Sequence, residues 1–180
     1  MVNYEKTFAV CATANGIFQQ KRGHCMEIRF AEIRDIPGMI ELLLQVGEVH
    51  HRIRPDLFRS GAQKYDEQAL AAMLTDDTRP ILVADEGGKV LGYCFCILQV
   101  RENDPVLMDD RTLYIDDLCV DENCRGKHVG QALYDHAVAY ARELGCRTLT
   151  LNVWCGNDSA MHFYEKQGLK PRNIHMETIL

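Results

Sequence analysis

No apolar run in this chain of 180 residues approaches the roughly 20 residues that a membrane span takes. A membrane partner is therefore not expected. The N-terminus also lacks a charged segment leading into a continuous apolar core and a small-residue cleavage site, so it does not read as a secretory signal. Positive charge is in short supply: Lys and Arg total 20 against 26 Asp and Glu, for a formal net charge of −6. Sequence-independent nucleic-acid binding runs on Lys and Arg, so nucleic acid is not an expected partner either. An acidic balance is compatible with a cationic substrate such as an amine. The eight cysteines are scattered and no pair has CxxC spacing. Cys94 and Cys96, two apart in a strand-like run, share a face and read as buried core thiols. Neither a disulfide framework nor a bound metal is expected, and a reducing cytoplasm is the natural location. Internal repeats, Pro- or Ser-rich linkers and a second hydrophobic unit are missing, which leaves one domain.

What is present is a clear succession of periods. Residues 1–25 show none and read as an N-terminal extension, and the patterned domain covers 26–180. Glu27 to Ile33 alternates polar and apolar as a half-exposed strand does. Asp35 stands where a cap would be, with Pro37 in the first turn of a helix carrying Ile36, Met39, Ile40, Leu43, Leu44 and Val46. A loop from Arg52 to Gly61 leads to a second helix with Leu70, Met73 and Leu74 on one side. Two strands follow, Pro80 to Asp85 and Val90 to Leu98, joined by a turn at Glu86-Gly87-Gly88-Lys89. A third runs from Arg111 to Val120. A helix from Val129 to Leu144, a strand from Arg147 to Trp154, a short helix capped by Asn157 or Asp158 and a last strand from Pro171 to Leu180 complete the chain. The order β-α-α-β-β-β-α-β-α-β predicts an α/β (α+β) fold: a mixed, mostly antiparallel central sheet flanked by helices.

The segment Asp121-Glu122-Asn123-Cys124-Arg125-Gly126-Lys127-His128-Val129-Gly130 joins a strand to a helix. A helix start offers unpaired N–H groups and a positive dipole end, where phosphate fits without many side chains. Gly126 and Gly130 permit close backbone approach, and Arg125 and Lys127 add charge. Neither the Walker nor the Rossmann spacing is present.

Taken with its surroundings this loop resembles that of the GNAT acetyltransferase superfamily. The run Arg125-Gly126-Lys127-His128-Val129-Gly130 matches the family's pyrophosphate loop, with His128 standing in the slot of a middle glycine. Ile115-Asp116-Asp117-Leu118-Cys119-Val120 is similar to the family's fourth strand, and Leu149-Thr150-Leu151-Asn152-Val153-Trp154 to the fifth. Asn157-Asp158-Ser159-Ala160, with Phe163-Tyr164-Glu165-Lys166-Gln167-Gly168-Leu169, is similar to the helix and segment that follow. The resemblance spans roughly residues 27–180.

It implies acetyl transfer from acetyl-CoA to a primary amine of a small molecule or a protein N-terminus. The alternatives are a CoA-binding sensor or interaction module without turnover, and the use of another acyl-CoA. The cofactor would lie in a splay between the fourth and fifth strands. It would be held by Leu118, Cys119, Val120, Arg125, Gly126, Lys127, His128, Val129 and Gly130, with Asn157, Ala160 and Tyr164 beside it. Tyr164 matches the general acid that returns a proton to the CoA sulfur. The Leu118 N–H would stabilise the oxyanion. Asp116 is the expected general base, through water. Adjacent residues on an uninterrupted strand point to opposite faces, so of Asp116 and Asp117 one is expected to face the chemistry. Asp117, Glu48, His51 and Trp154 are the candidate substrate residues. His50 or His51 offers an alternative base, within a variable wall that includes Arg54, Asp56 and Phe58. Dimers are common in the family, which leaves a homodimer open.

Overall fold

The structure is a computed structural model and describes residues 25–180. All but Cys25 of the expected N-terminal extension lies outside the described residues. Five strands form one sheet in the order β1-β2-β3-β4-β5. They are β1 Glu27–Phe30, β2 Ile81–Glu86, β3 Lys89–Arg101, β4 Asp110–Val120 and β5 Thr148–Leu151. The first four pair antiparallel in succession, and β5 joins β4 in parallel. The α-helices are α1 Ile36–Ile53, α2 Glu67–Met73, α3 Val129–Glu143 and α4 Asp158–Lys166. The mixed, mostly antiparallel sheet expected from the sequence is thus present, one strand short. Residues 169–180, expected to hold a final strand, form no regular element and are mostly exposed.

Each sheet face carries its own core. On one, Ile36, Met39, Leu42 and Leu43 of α1 and Leu70 and Met73 of α2 meet Tyr93 and Phe95 of β3. Leu42 takes the place in this stripe that the sequence reading gave to Leu44, which is exposed. At 100° per residue, position 42 falls about 60° beyond Met39 and position 44 about 80° beyond Ile36 on the opposite flank, so the core lies on the Met39 side of the stripe. On the other face, Val129, Leu133, Tyr134 and Ala137 of α3 cover Cys94, Cys96, Leu113 and Ile115, with Phe163 and Tyr164 of α4 packed alongside. Gly92 allows α3 to lie this close. A Cβ there would stand 2.8 Å from the Cys119 carbonyl and 3.1 Å from Leu133 Cδ1.

Asp35 does not cap α1 through its side chain. The carboxylate instead accepts from the Glu32 N–H at 2.7 Å and takes both terminal nitrogens of Arg29, at 2.7 and 2.8 Å. Arg29 also reaches Asp85 at 2.7 Å, so one guanidinium ties β1, the turn before α1 and β2 together. Such bidentate, charge-assisted bonds satisfy an aspartate that is only 2% exposed.

Candidate acyl-transfer site

Two breaks in regular pairing create the site. The first lies between β4 and β5, whose register runs from Thr112↔Thr148 to Ile115↔Leu151 and then stops. From Asp116 to Val120, β4 continues along β3 while the chain after Leu151 leaves the sheet. One side of β4 is thereby opened. Asp121 N–H donates to the Leu91 carbonyl. Peptide groups alternate along a strand, so those of Cys119 and Asp117 turn toward β3 and those of Leu118 and Val120 turn toward the opening.

The second break is a β-bulge in β4. Phe95 opposes Asp117 and Cys96 opposes Ile115, leaving Asp116 as an extra residue. The bulge cancels the alternation expected of the aspartate pair. Asp116 Oδ2 accepts from Tyr65 Oη at 2.6 Å and Asp117 Oδ2 from Tyr93 Oη at 3.0 Å, and both tyrosine rings pack on Phe95. The two carboxylates therefore share the α1–α2 face.

Their surroundings differ. Asp116 is fully engaged: Lys64 Nζ lies 2.7 Å from Oδ1, and Tyr65 in turn accepts from Arg79 Nη2 at 3.0 Å. Burial and the bond to Asp116 push the Tyr65 phenol up to about 12, so it stays a donor. Asp117 has no cation in contact among the described residues. Burial pushes its carboxyl up to about 6, against the downward pull of the Tyr93 hydroxyl and of the Lys64 charge. Lys64, Tyr65, Arg79 and Tyr93 were not singled out in the sequence. No motif marks them; the bulge turns Asp116 toward Lys64 and Tyr65, while Asp117 meets Tyr93 through its regular pairing opposite Phe95.

At the end of β4, Asp121 Oδ1 accepts from the backbone and side-chain nitrogens of Asn123, at 2.9 and 3.0 Å. This shapes the turn that carries the loop to α3. Gly126 has φ +77° and His128 φ +62°, both left-handed. The slot that the sequence reading marked as a glycine position is thus occupied by a histidine in a glycine-like conformation. The first intrahelical bond of α3 runs from Ala132 N–H to the His128 carbonyl. The N–H groups of Val129, Gly130 and Gln131 precede it and take no intrahelical partner. Arg125, Lys127 and His128 are exposed and form no ion pair among the described residues.

α4 begins where expected, with Asn157 as its cap accepting from Ala160 N–H at 3.2 Å. Ala160 is half-buried one turn ahead of Tyr164. The Tyr164 ring packs between Phe163, at 5.0 Å between centroids, and Tyr134, at 6.3 Å. Its hydroxyl makes no hydrogen bond among the described residues, and burial raises its pKa well above that of a free phenol. Gln131 and Gln167 exchange amide bonds of 2.8 and 2.6 Å, joining the start of α3 to the end of α4.

The candidate substrate residues divide. Trp154 meets Phe58 edge to face at 5.0 Å, and Phe58 packs on His50 at 5.0 Å, forming an aromatic wall. Burial, then the nearby Lys64 charge, lowers the His50 pKa. Glu48 and His51 are engaged with the loop after α1. Glu48 accepts from Gly61 N–H and Ser60 Oγ, and His51 Nδ1 lies 2.7 Å from the Phe58 carbonyl. Cys119 is buried, its thiol is pushed up to about 12, and Sγ points to the Leu42 carbonyl, which suits packing and not nucleophilic attack. Among the described residues no helix is long and apolar enough to cross a membrane, and no group of three or more His, Cys, Asp and Glu could hold a metal ion.

Several known proteins that share this architecture or sequence are described as acetyltransferases. An uncharacterized N-acetyltransferase of Bacillus subtilis, YhfO, is 30% identical over 79% of this chain and 89% of its own. An uncharacterized N-acetyltransferase of Methanocaldococcus jannaschii is 26% identical over 57% of this chain, which spans only 44% of that relative's length. A solved tetramutant of the BH1408 protein of Bacillus halodurans superposes with a TM-score of 0.82 at 30% identity, over 86% of this chain and 100% of that one. An aminoglycoside N-acetyltransferase solved in complex with CoA shares the fold, with a TM-score of 0.64 at 15% identity over 89% and 99% of the two chains. The model of the acetyltransferase (GNAT) family matches residues 47–169, and the chain belongs to that family.

Proposed function

We propose that the protein is an N-acetyltransferase that moves an acetyl group from acetyl-CoA to a primary amine. The observation that carries this reading is the opening of β4 beside β5, with the unpaired start of α3 at its head and the unbonded Tyr164 hydroxyl on the neighbouring helix. In this reading the N–H groups at the start of α3, with Arg125 and Lys127, hold the pyrophosphate of the CoA. The outward peptide groups of Leu118 and Val120 pair with the pantetheine arm as an added strand would, and the Leu118 N–H receives the thioester oxygen as it gains charge.

The roles of the two aspartates are assigned by environment. Asp116, held between Lys64 and Tyr65, is an electrostatic anchor on the acceptor side. Asp117, whose carboxyl titrates at about 6, is the group suited to take a proton from the attacking amine, through water, near neutral pH. The amine then bonds to the acetyl carbon, the C–S bond breaks, and Tyr164 protonates the departing thiolate. The aromatic wall of His50, Phe58 and Trp154 beside two carboxylates suits a cationic acceptor. The cytoplasm, where acetyl-CoA is available, is the fitting location.

The test is release of free CoA thiol from acetyl-CoA in the presence of a panel of small amines and peptides with free N-termini. Turnover on at least one amine is expected. Tight acetyl-CoA binding without thiol release on any amine would turn the reading to a CoA-binding module, and faster release from succinyl- or propionyl-CoA would replace the donor.

A further inference from the structure

One amine of the chain lies against the aspartate assigned above to the acceptor side. Lys64 belongs to the connection between α1 and α2, and its Nζ is 2.7 Å from Asp116 Oδ1 and 3.4 Å from the Asp116 carbonyl oxygen. The lysine side chain is 45% exposed and that of Asp116 11%, so the carboxylate is largely covered while the amine stays open to solvent. Its charge acts on both Asp117 and His50. Lys64 therefore stands among all the polar groups of the acceptor side. Asp116 and Leu118 are two residues apart on a strand, about 6.6 Å of extended chain, and a bulge shortens that span. A lysine side chain pivoting off Asp116 covers such a distance.

We propose that the protein acetylates itself at Lys64, using the same opening it uses for free amines. The inference rests on the acetyltransferase reading above. The Lys64 ammonium gives a proton through water to the Asp117 carboxylate, and the freed lone pair forms the N–C bond to the thioester carbonyl carbon. The C–S bond breaks with its electron pair on sulfur, the CoA thiolate takes the proton of Tyr164, and the acylated nitrogen releases its second proton through water to the Tyr164 phenolate. The products are acetyl-Lys64 and CoA. The new amide carries no charge and cannot pair with Asp116, whose Oδ1 then becomes available to the ammonium of a free acceptor. Self-acetylation would thus convert the enzyme from a form that occupies its own acceptor site to one that does not.

The full chain is incubated with acetyl-CoA and no added amine, and acetyl occupancy at each lysine is followed by peptide mass spectrometry across pH. Lys89 is the natural control, since its side chain is 64% exposed and solvent accessibility alone would favour it over Lys64. Lys64 is expected to be modified roughly tenfold or more faster than Lys89, Lys166 and Lys170, because it is held beside Asp116 while Lys89 pairs with Asp121 instead. The rate should rise with pH and should not depend on protein concentration. Tyr164→Phe should slow Lys64 and leave the controls unchanged, and Lys64→Arg should abolish acceptor-independent thiol release. Labelling of Lys64 no faster than Lys89, or equally fast in Tyr164→Phe, overturns the proposal, as does labelling that grows with protein concentration. The amine panel run on the same preparation separates the two ideas. Turnover on an amine without Lys64 labelling refutes self-acetylation alone, and absence of acetyl-CoA binding refutes both.

Discussion

Asp116 and Asp117 are consecutive in the chain, yet their carboxylates lie on one face of the sheet, the first bonded to Tyr65 and the second to Tyr93. One pairs with a lysine, and the other is buried with no contacting cation among the described residues. The pair thereby holds two adjacent carboxylates in different surroundings, one against a cation and one buried.

A stability consequence follows for Asp117. Its carboxyl is raised by folding from 3.8 to about 6, so its contribution to stability is fully present below the unfolded value and is lost as pH rises through about 6. Asp35, Asp110 and Asp121 are lowered, and their contributions are present above the unfolded value and lost in more acid solution. Asp117→Asn should therefore be more stable than the parent at about pH 8, by on the order of 2 kcal/mol, and the gap should close by about pH 4. Urea midpoints at the two pH values check this. The same substitution should remove most turnover, the usual cost of relaxing a strained functional group.

Tyr164→Phe removes the one phenol on α4 and keeps the ring that packs against Tyr134 and Phe163. Turnover should fall about 100-fold, within the range for a lost general acid, while the Kd for acetyl-CoA stays within a factor of about two. Stopped-flow thiol release and calorimetric binding report the two quantities separately. Unchanged kcat would take the acid role from Tyr164.

His128 holds a left-handed backbone at φ +62°, where a side chain costs about 1 kcal/mol relative to glycine. His128→Gly should be neutral to slightly stabilising, and His128→Val destabilising by more than 1 kcal/mol, roughly, because a β-branched residue tolerates this region least. Chemical denaturation of the three proteins measures the order. Gly126→Ala, at φ +77°, should also destabilise.

Arg125 and Lys127 have no ion-pair partners among the described residues and lie within the loop before α3. Arg125→Ala and Lys127→Ala should each weaken acetyl-CoA about three- to tenfold and flatten the salt dependence of its binding, with kcat at saturation nearly unchanged. Titrations at low and high ionic strength distinguish this from a general loss of folding.

The element order, the two-faced sheet and the helix starts were legible from periodicity and caps, since α1, α3 and β3 each carry a stripe that one core must cover. The loop from Arg125 to Gly130 was legible because its chemistry is local to the sequence. The bulge at Asp116 was not, because it carries no glycine and follows from how β4 pairs with β3, a long-range matter. For the same reason Lys64, Tyr65 and Arg79 escaped notice: they are distant in sequence and meet the aspartate only through the fold. The strand expected from Pro171 to Leu180 is absent because a local segment does not by itself supply a neighbouring strand to pair with.

The extra residue in β4 also bears on how such a strand can be edited. Because the bulge inserts Asp116 without turning over its neighbours, Leu113, Ile115, Leu118 and Val120 all remain toward α3. Deleting Asp116 would leave each of them facing as before and would merely restore an unbroken ladder between Phe95 and Cys96. A carboxylate can thus be gained or lost at this point of the chain by a one-codon change that leaves the hydrophobic layers in place, so the acceptor side is free to vary while the sheet beneath it is conserved.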